Sequence, residues 1–210
     1  MSHFHPEPEW LTEYAAGSLA WPYSLAVGVH LHYCPVCRAS VQQLNALGGA
    51  LLEELNPMPV SPGLKSRVMA LLDDMQSQHK PAYSAPDVPA LLKRWIPQGY
   101  SDLRWRRVLP VLREVLLEKN RDTKIALHRI APGGKITSHT HTGQEITVVL
   151  AGHFSDELGM YQDGDFILRT GEHQHSPRAS QNEECICLTI VQGGLKVSGL
   201  LGVLVNPFLR

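Results

Sequence analysis

Hydrophobic positions along this chain follow two different periods. Over residues 1–80 apolar side chains recur every three to four positions, the spacing that lines one face of an α-helix. From residue 89 onward they alternate, the spacing of a strand with one buried face. The first pattern predicts four helices. One covers 9–16, with Trp10, Leu11, Tyr14 and Ala15 on its apolar side and Gly17 placed to end it in the left-handed conformation. A second covers 24–33 and stops before Pro35, which lacks an N–H and clashes with the preceding turn. A third covers 35–55, with Val41, Leu44, Leu47, Leu51, Leu52 and Leu55 as a packed face, and ends at Asn56-Pro57-Met58-Pro59. The fourth has Ser61 as N-cap and Pro62 at its first position, and runs to about residue 78 with Leu64, Val68, Leu71, Leu72 and Met75 on one side.

The second pattern predicts strands at 104–109, 111–117, 123–130, 146–152, 165–169, 184–191 and 199–205. Glycine-rich turns fall at 131–134, 162–165 and 192–194. Many short strands joined this way predict an antiparallel barrel. Between the two patterns, residues 79–90 hold three prolines and no period, as a semi-rigid linker does. The expected organisation is α+β in two domains: a four-helix unit at 1–78, a linker at 79–90 and a β barrel at 91–210.

Charge changes this picture little. Nineteen Lys and Arg face twenty Asp and Glu, so a large nucleic-acid footprint is not expected. The basic and aromatic stretch at 93–107 fits a barrel edge guarded by charge. No apolar run is long enough to span a bilayer and none resembles a secretory signal, so the chain is expected in the cytoplasm. Four cysteines are too few for a disulfide scaffold. Cys185 and Cys187 share one strand face with Thr189, and Ile186, Leu188 and Ile190 share the other. The pair is either small core residues or a redox-sensitive couple.

Two groups of residues carry chemistry. His139 and His141 are two apart, so on a strand both point to one side, and Glu145 follows after Gly143. Two imidazoles and a carboxylate aimed into one space begin a metal site. Gly133 and Gly152 flank them, and Gly164 is followed eleven positions later by His175. His173 is off this spacing, and His128 and His153 read as ordinary strand or loop residues. The second group is His30, Cys34 and Cys37. His30 and Cys34 lie on one helix face, and Cys37 comes from the next helix across Pro35. Two thiolates and an imidazole make most of a tetrahedral zinc site. The fourth ligand would come from His3 or His5. A redox CxxC normally follows a strand in a thioredoxin-like fold, and no such pattern precedes this one.

The run Gly133, His139, His141, Glu145, Gly152 resembles the first motif of the cupin superfamily, and Gly164 with His175 resembles the second. Thr170, Glu172 and Ala179 depart from the second motif, at the turn and not at the ligand. The resemblance implies a double-sheet jelly roll with His139, His141, Glu145 and His175 as ligands. HxxxCxxC in a small helical unit resembles the zinc-binding anti-sigma factors, and fused to a cupin it resembles their ChrR type. Tyr14-Ala15-Ala16-Gly17 stands where that family ends its first helix, which selects His5 over His3. The resemblance implies a first zinc on His5, His30, Cys34 and Cys37 and a second metal, also zinc, in the cupin. It further implies a partner, an extracytoplasmic-function (ECF) sigma factor released under oxidative stress of the singlet-oxygen type. An alternative from the barrel alone is a metalloenzyme, a dioxygenase or isomerase using Fe, Mn or Ni, and a third is a barrel that binds a small-molecule stress product.

Overall fold

The computed structural model describes residues 2–78 and 88–197. Four helices come first: α1 (Pro8–Ala15), α2 (Trp21–Tyr33), α3 (Pro35–Glu53) and α4 (Leu64–Gln78). Each of the first three carries proline in its first turn, where the missing N–H leaves no helical bond unmade. That explains why α2 begins three residues before its apolar period does: Pro22 is a helix starter here. Gly17 follows α1 at φ 69°, in the left-handed conformation the sequence predicts. Cys34 is extended between α2 and α3, and its sulfur accepts the Cys37 N–H as a helix cap would.

α2 is apolar on every side and is the buried helix, with Ala26, Val27 and Val29 fully enclosed. α1 lays Leu11, Trp10 and Tyr14 against the same core. α3 differs from expectation. Val41 is buried and Leu44 partly so, but Leu47, Leu51, Leu52 and Leu55 are 59–68% exposed. Nineteen residues make a rod of about 28 Å, and its second half projects past the body it packs on. On α4, Leu64, Val68, Leu71 and Leu72 are also exposed. The predicted apolar faces therefore exist but are uncovered.

The strands are β1 (Arg106–Leu109), β2 (Leu112–Lys119), β3 (Thr123–Ile130), β4 (His139–His141), β5 (Glu145–Ala151), β6 (Phe154–Asp156), β7 (Gly159–Tyr161), β8 (Phe166–Arg169), β9 (Arg178–Ala179), β10 (Cys185–Gln192) and β11 (Leu195–Val197). They form a six-stranded sheet in the order β1-β2-β3-β10-β5-β8, a pair β11-β4 and a three-stranded sheet β7-β6-β9, antiparallel throughout. Six of the predicted strands are present with ends shifted by two residues at most, and the seventh, at 199–205, lies outside the described residues. The strands not foreseen, β4, β6, β7, β9 and β11, are two or three residues long, too short to show a period.

The middle strands of the large sheet, β3, β10 and β5, are buried on both faces. Cys185 and Cys187 of β10 turn inward beside Val149, Phe154, Tyr161 and Ile167. Ile186, Leu188 and Ile190 turn outward and share one core with Val27, Val29 and Leu25 of α2. α2 therefore sits on the outer face of the barrel. Val88, within the segment read as linker, is itself buried in this core with Leu92 and Ile96. The basic stretch ends in the edge strand β1, where Arg106 and Arg107 are exposed, and Arg94 stacks over Trp95 at 3.7 Å. At the opposite edge the Phe166 N–H donates to the Phe4 carbonyl at 3.0 Å, so the N-terminal segment caps β8. Among the described residues no helix is long and apolar enough to cross a membrane.

Candidate metal centres

The α2–α3 corner brings His30, Cys34 and Cys37 together, and the N-terminal segment adds His5, so that one ligand atom from each lies within 4.8 Å of every other. His5 Nδ1 is 3.4 Å from the Cys34 sulfur and 3.5 Å from the Cys37 sulfur. Zn–S and Zn–N bonds at tetrahedral angles put ligand atoms about 3.5 Å apart, so these two separations match those a zinc ion needs. His3 is outside the group.

The donors' chemistry agrees. His30 is wholly buried, and burial pushes its imidazole down to about 4, against a partial opposing pull from a hydrogen bond to Gly164. It is therefore neutral near pH 7. Nδ1 meets the Gly164 carbonyl at 2.6 Å, which fixes the proton there, and the buried Nε2 has no hydrogen-bond partner. Burial, with the neighbouring Cys34, pushes the Cys37 thiol up to about 12. A buried sulfur of that kind becomes a thiolate when a cation compensates it.

The barrel group forms where β4, β5 and the loop before β9 meet. His139, His141, Glu145 and His175 are all buried, and their ligand atoms also lie within 4.8 Å of one another. His175 Nε2 is 3.0 Å from His139 Nε2 and 3.4 Å from Glu145 Oε2, and His141 Nε2 is 2.8 Å from that same oxygen. His141 Nε2 and Glu145 Oε2 are close without the alignment of a hydrogen bond, and both have no hydrogen-bond partner. Lone pairs converging on a shared point fit a divalent ion better than a hydrogen-bonded network. Burial alone would push the Glu145 carboxyl up, but the surrounding imidazoles hold it at about 2, so it is a carboxylate. Burial pushes His139 down, towards the neutral form that ligates. Both groups therefore fit a metal ion, the first by its thiolates zinc, the second a nitrogen- and oxygen-preferring divalent ion.

The other histidines are elsewhere. His173 Nδ1 accepts the Thr170 N–H at 3.1 Å within its own turn, and His153 pairs with Glu183 at 2.8 Å on the surface. His128, expected to be an ordinary strand or loop residue, joins a polar knot on β3: its Nε2 is 3.2 Å from Glu114, which also binds Arg106 at 2.7 Å and Lys124. Glu114 is buried, and the contact with His128, followed by those cations, holds its carboxyl well below the usual range. Its signal in the sequence is an acidic residue in phase with buried Leu112 on β2. Asp156 is the other residue not foreseen. Its Oδ2 lies 3.7 Å from His175 Nδ1, the nitrogen that faces away from the ligand group.

The comparisons with known proteins cover nearly the whole chain. Residues 98–193 match the family described as the ChrR cupin-like domain. The anti-sigma-E factor ChrR of Cereibacter sphaeroides is 37% identical over 207 residues, 98% of this chain and 97% of that protein. A chain in the crystal structure of Rhodobacter sphaeroides SigE in complex with the anti-sigma ChrR superposes with a TM-score of 0.78 at 34% identity, covering 91% of this chain and 100% of that one.

Proposed function

The chain belongs to the ChrR family of anti-sigma factors, and we propose on that footing that it binds an ECF sigma factor in the bacterial cytoplasm and holds it inactive. The likeness over almost the full length of both proteins carries this reading. His5, His30, Cys34 and Cys37 are its zinc ligands. The zinc clamps α1, α2 and α3, so that metal binding contributes directly to folding. The clamp aims the second half of α3, and α4 beyond it, away from the barrel. Leu47, Leu51, Leu52, Leu55, Val68 and Leu72 present the kind of apolar surface that receives a partner's amphipathic helix. Covering the sigma factor's polymerase-binding and promoter-binding surfaces stops transcription.

His139, His141, Glu145 and His175 hold the second ion, and we take this ion to be zinc as well. The barrel receives the signal, an oxidant of the singlet-oxygen type, and release of the sigma factor follows. We read it as a sensor and not an enzyme. The test is co-purification with the ECF sigma factor encoded beside it. The unaltered chain forms a 1:1 complex and His30→Ala forms none. A His30→Ala chain that still binds would remove the zinc clamp from this account.

A further inference from the structure

Two stretches of the barrel reach across to the helical ligand group, and they meet where β7 leads through the turn at 162–165 into β8. The first starts at the barrel ligands. His175 turns Nε2 into its group, and its Nδ1 faces Asp156 Oδ2 at 3.7 Å, a charge contact longer than a hydrogen bond. A carboxylate facing the outer nitrogen of a ligating imidazole favours one ring orientation. Asp156 Oδ2 also accepts Arg169 Nη2 at 3.1 Å, and Oδ1 accepts the Tyr161 hydroxyl at 2.9 Å. The Tyr161 ring is buried and meets the Phe4 ring at 4.9 Å between centroids. Phe4 immediately precedes His5, and Pro6, buried, follows it and holds His5 extended.

The second stretch starts where Tyr161 enters the turn at 162–165. Asp165 Oδ1 accepts the backbone N–H groups of His3 at 2.6 Å and Phe4 at 3.1 Å. The Gly164 carbonyl faces His30 Nδ1 at 2.6 Å. Two of the four helical ligands, His5 and His30, are thus positioned by one barrel turn, and the residue opening that turn hydrogen-bonds the carboxylate behind a barrel ligand.

We propose that the two metal groups are coupled through Asp156, Tyr161 and Phe4, so that occupancy of the barrel group sets how tightly the helical group holds its ion. This rests on reading both groups as metal sites. Asp156 is the positioning residue. With an ion on His175, its ring is fixed and Asp156 is held against Tyr161. When that ion leaves, the ring and carboxylate are free to rearrange, and Tyr161 and the Phe4–His5 segment move with them. Coupling of this kind is reciprocal: the helical ion must tighten the barrel site by the same factor. Loss of an outer partner of a ligand typically changes metal affinity 10- to 100-fold, so a factor of about 10 is expected here.

Cobalt tests it in the full chain. Only the helical group contains sulfur, so thiolate-to-cobalt absorbance reports that site alone. Metal content is measured first, and the unaltered chain takes up two cobalt ions. After chelator is added, decay of the absorbance gives the release rate from the helical site. Emptying the barrel with His141→Ala, or with Glu145→Gln where the first variant folds poorly, speeds that release about 10-fold. In Tyr161→Phe, which keeps the ring and deletes the hydroxyl, and in Phe4→Ala, the rate no longer depends on the barrel. Equal rates with the barrel filled and empty, or a dependence that persists in both variants, overturn the coupling while leaving two metal sites. Uptake of a single ion overturns the two-site reading and the coupling with it.

Discussion

His30 Nδ1 stands 2.6 Å from the carbonyl oxygen of Gly164, a residue 134 positions further along the chain. One is a zinc ligand on α2 in our account, and the other is the glycine that opens the second cupin motif. The contact leaves His30 Nε2 buried, neutral and unpartnered. A glycine usually explained by its turn is therefore also part of the metal centre on the other side of the molecule.

Gly164→Ala should damage both roles. The residue has φ +86°, and an added Cβ would come within 2.4 Å of the Tyr33 Cβ. The left-handed backbone and the clash together destabilise by about 1–3 kcal/mol. Thermal unfolding measures the loss, and zinc release from the helical site should be faster in the variant.

Cys37→Ser should remove one zinc equivalent and leave the other. The two groups share no residue, so metal analysis of the variant gives one ion per chain where the unaltered chain gives two. With the clamp gone, the helical unit loses the folding contribution of its metal, and proteolysis within the first 60 residues becomes rapid while the barrel persists.

Leu51→Asp and Leu72→Asp separate docking from folding. Both side chains are exposed, so stability should change by no more than about 0.5 kcal/mol. Binding of the sigma factor should weaken by 10-fold or more, because each variant places an unpaired carboxylate in an apolar interface. Titration calorimetry alongside melting curves checks both halves.

Glu114→Gln tests the polar knot at the barrel edge. The folded-state carboxyl is held below its ordinary value of 4.5, so its stabilisation is complete above that pH and is lost as pH falls through the folded value. At pH 7 the variant should be less stable by about 1–3 kcal/mol. Arg106 and Lys124 keep contact with water, which holds the figure below that of a fully enclosed pair. The gap between the two proteins should begin to narrow below about pH 4.5 and close only as pH falls through the folded value.

The two candidate metal groups were more legible in the sequence than their surroundings. Spacing alone points to His30, Cys34, Cys37, His139, His141 and Glu145, because a metal group imposes fixed offsets along regular elements, whereas His175 needs the resemblance to the second cupin motif. His5 needed the family resemblance, since it lies on an irregular segment with His3 beside it as an equal candidate. The apolar periods of α3 and α4 were legible, but a period cannot tell a face that packs on its own chain from one kept for a partner, and in our account Leu51 and Leu72, both exposed, are of the second kind. Cys185 and Cys187 share one face of β10, as their spacing predicts, and that this face turns inward was not legible. Asp156 and Tyr161 were not legible. They sit on strands of three residues, and what places them is the fold around the barrel, not any local pattern.

In our account this chain is a metal-dependent inhibitor of a sigma factor. The decisive assay is transcription in vitro from a promoter of its ECF sigma factor, with the full chain titrated in. Inhibition should be complete at one chain per sigma factor with the zinc-loaded protein and absent with the zinc-stripped protein, and should return when zinc is restored. Undiminished transcription in the presence of excess protein carrying both metal ions would contradict it.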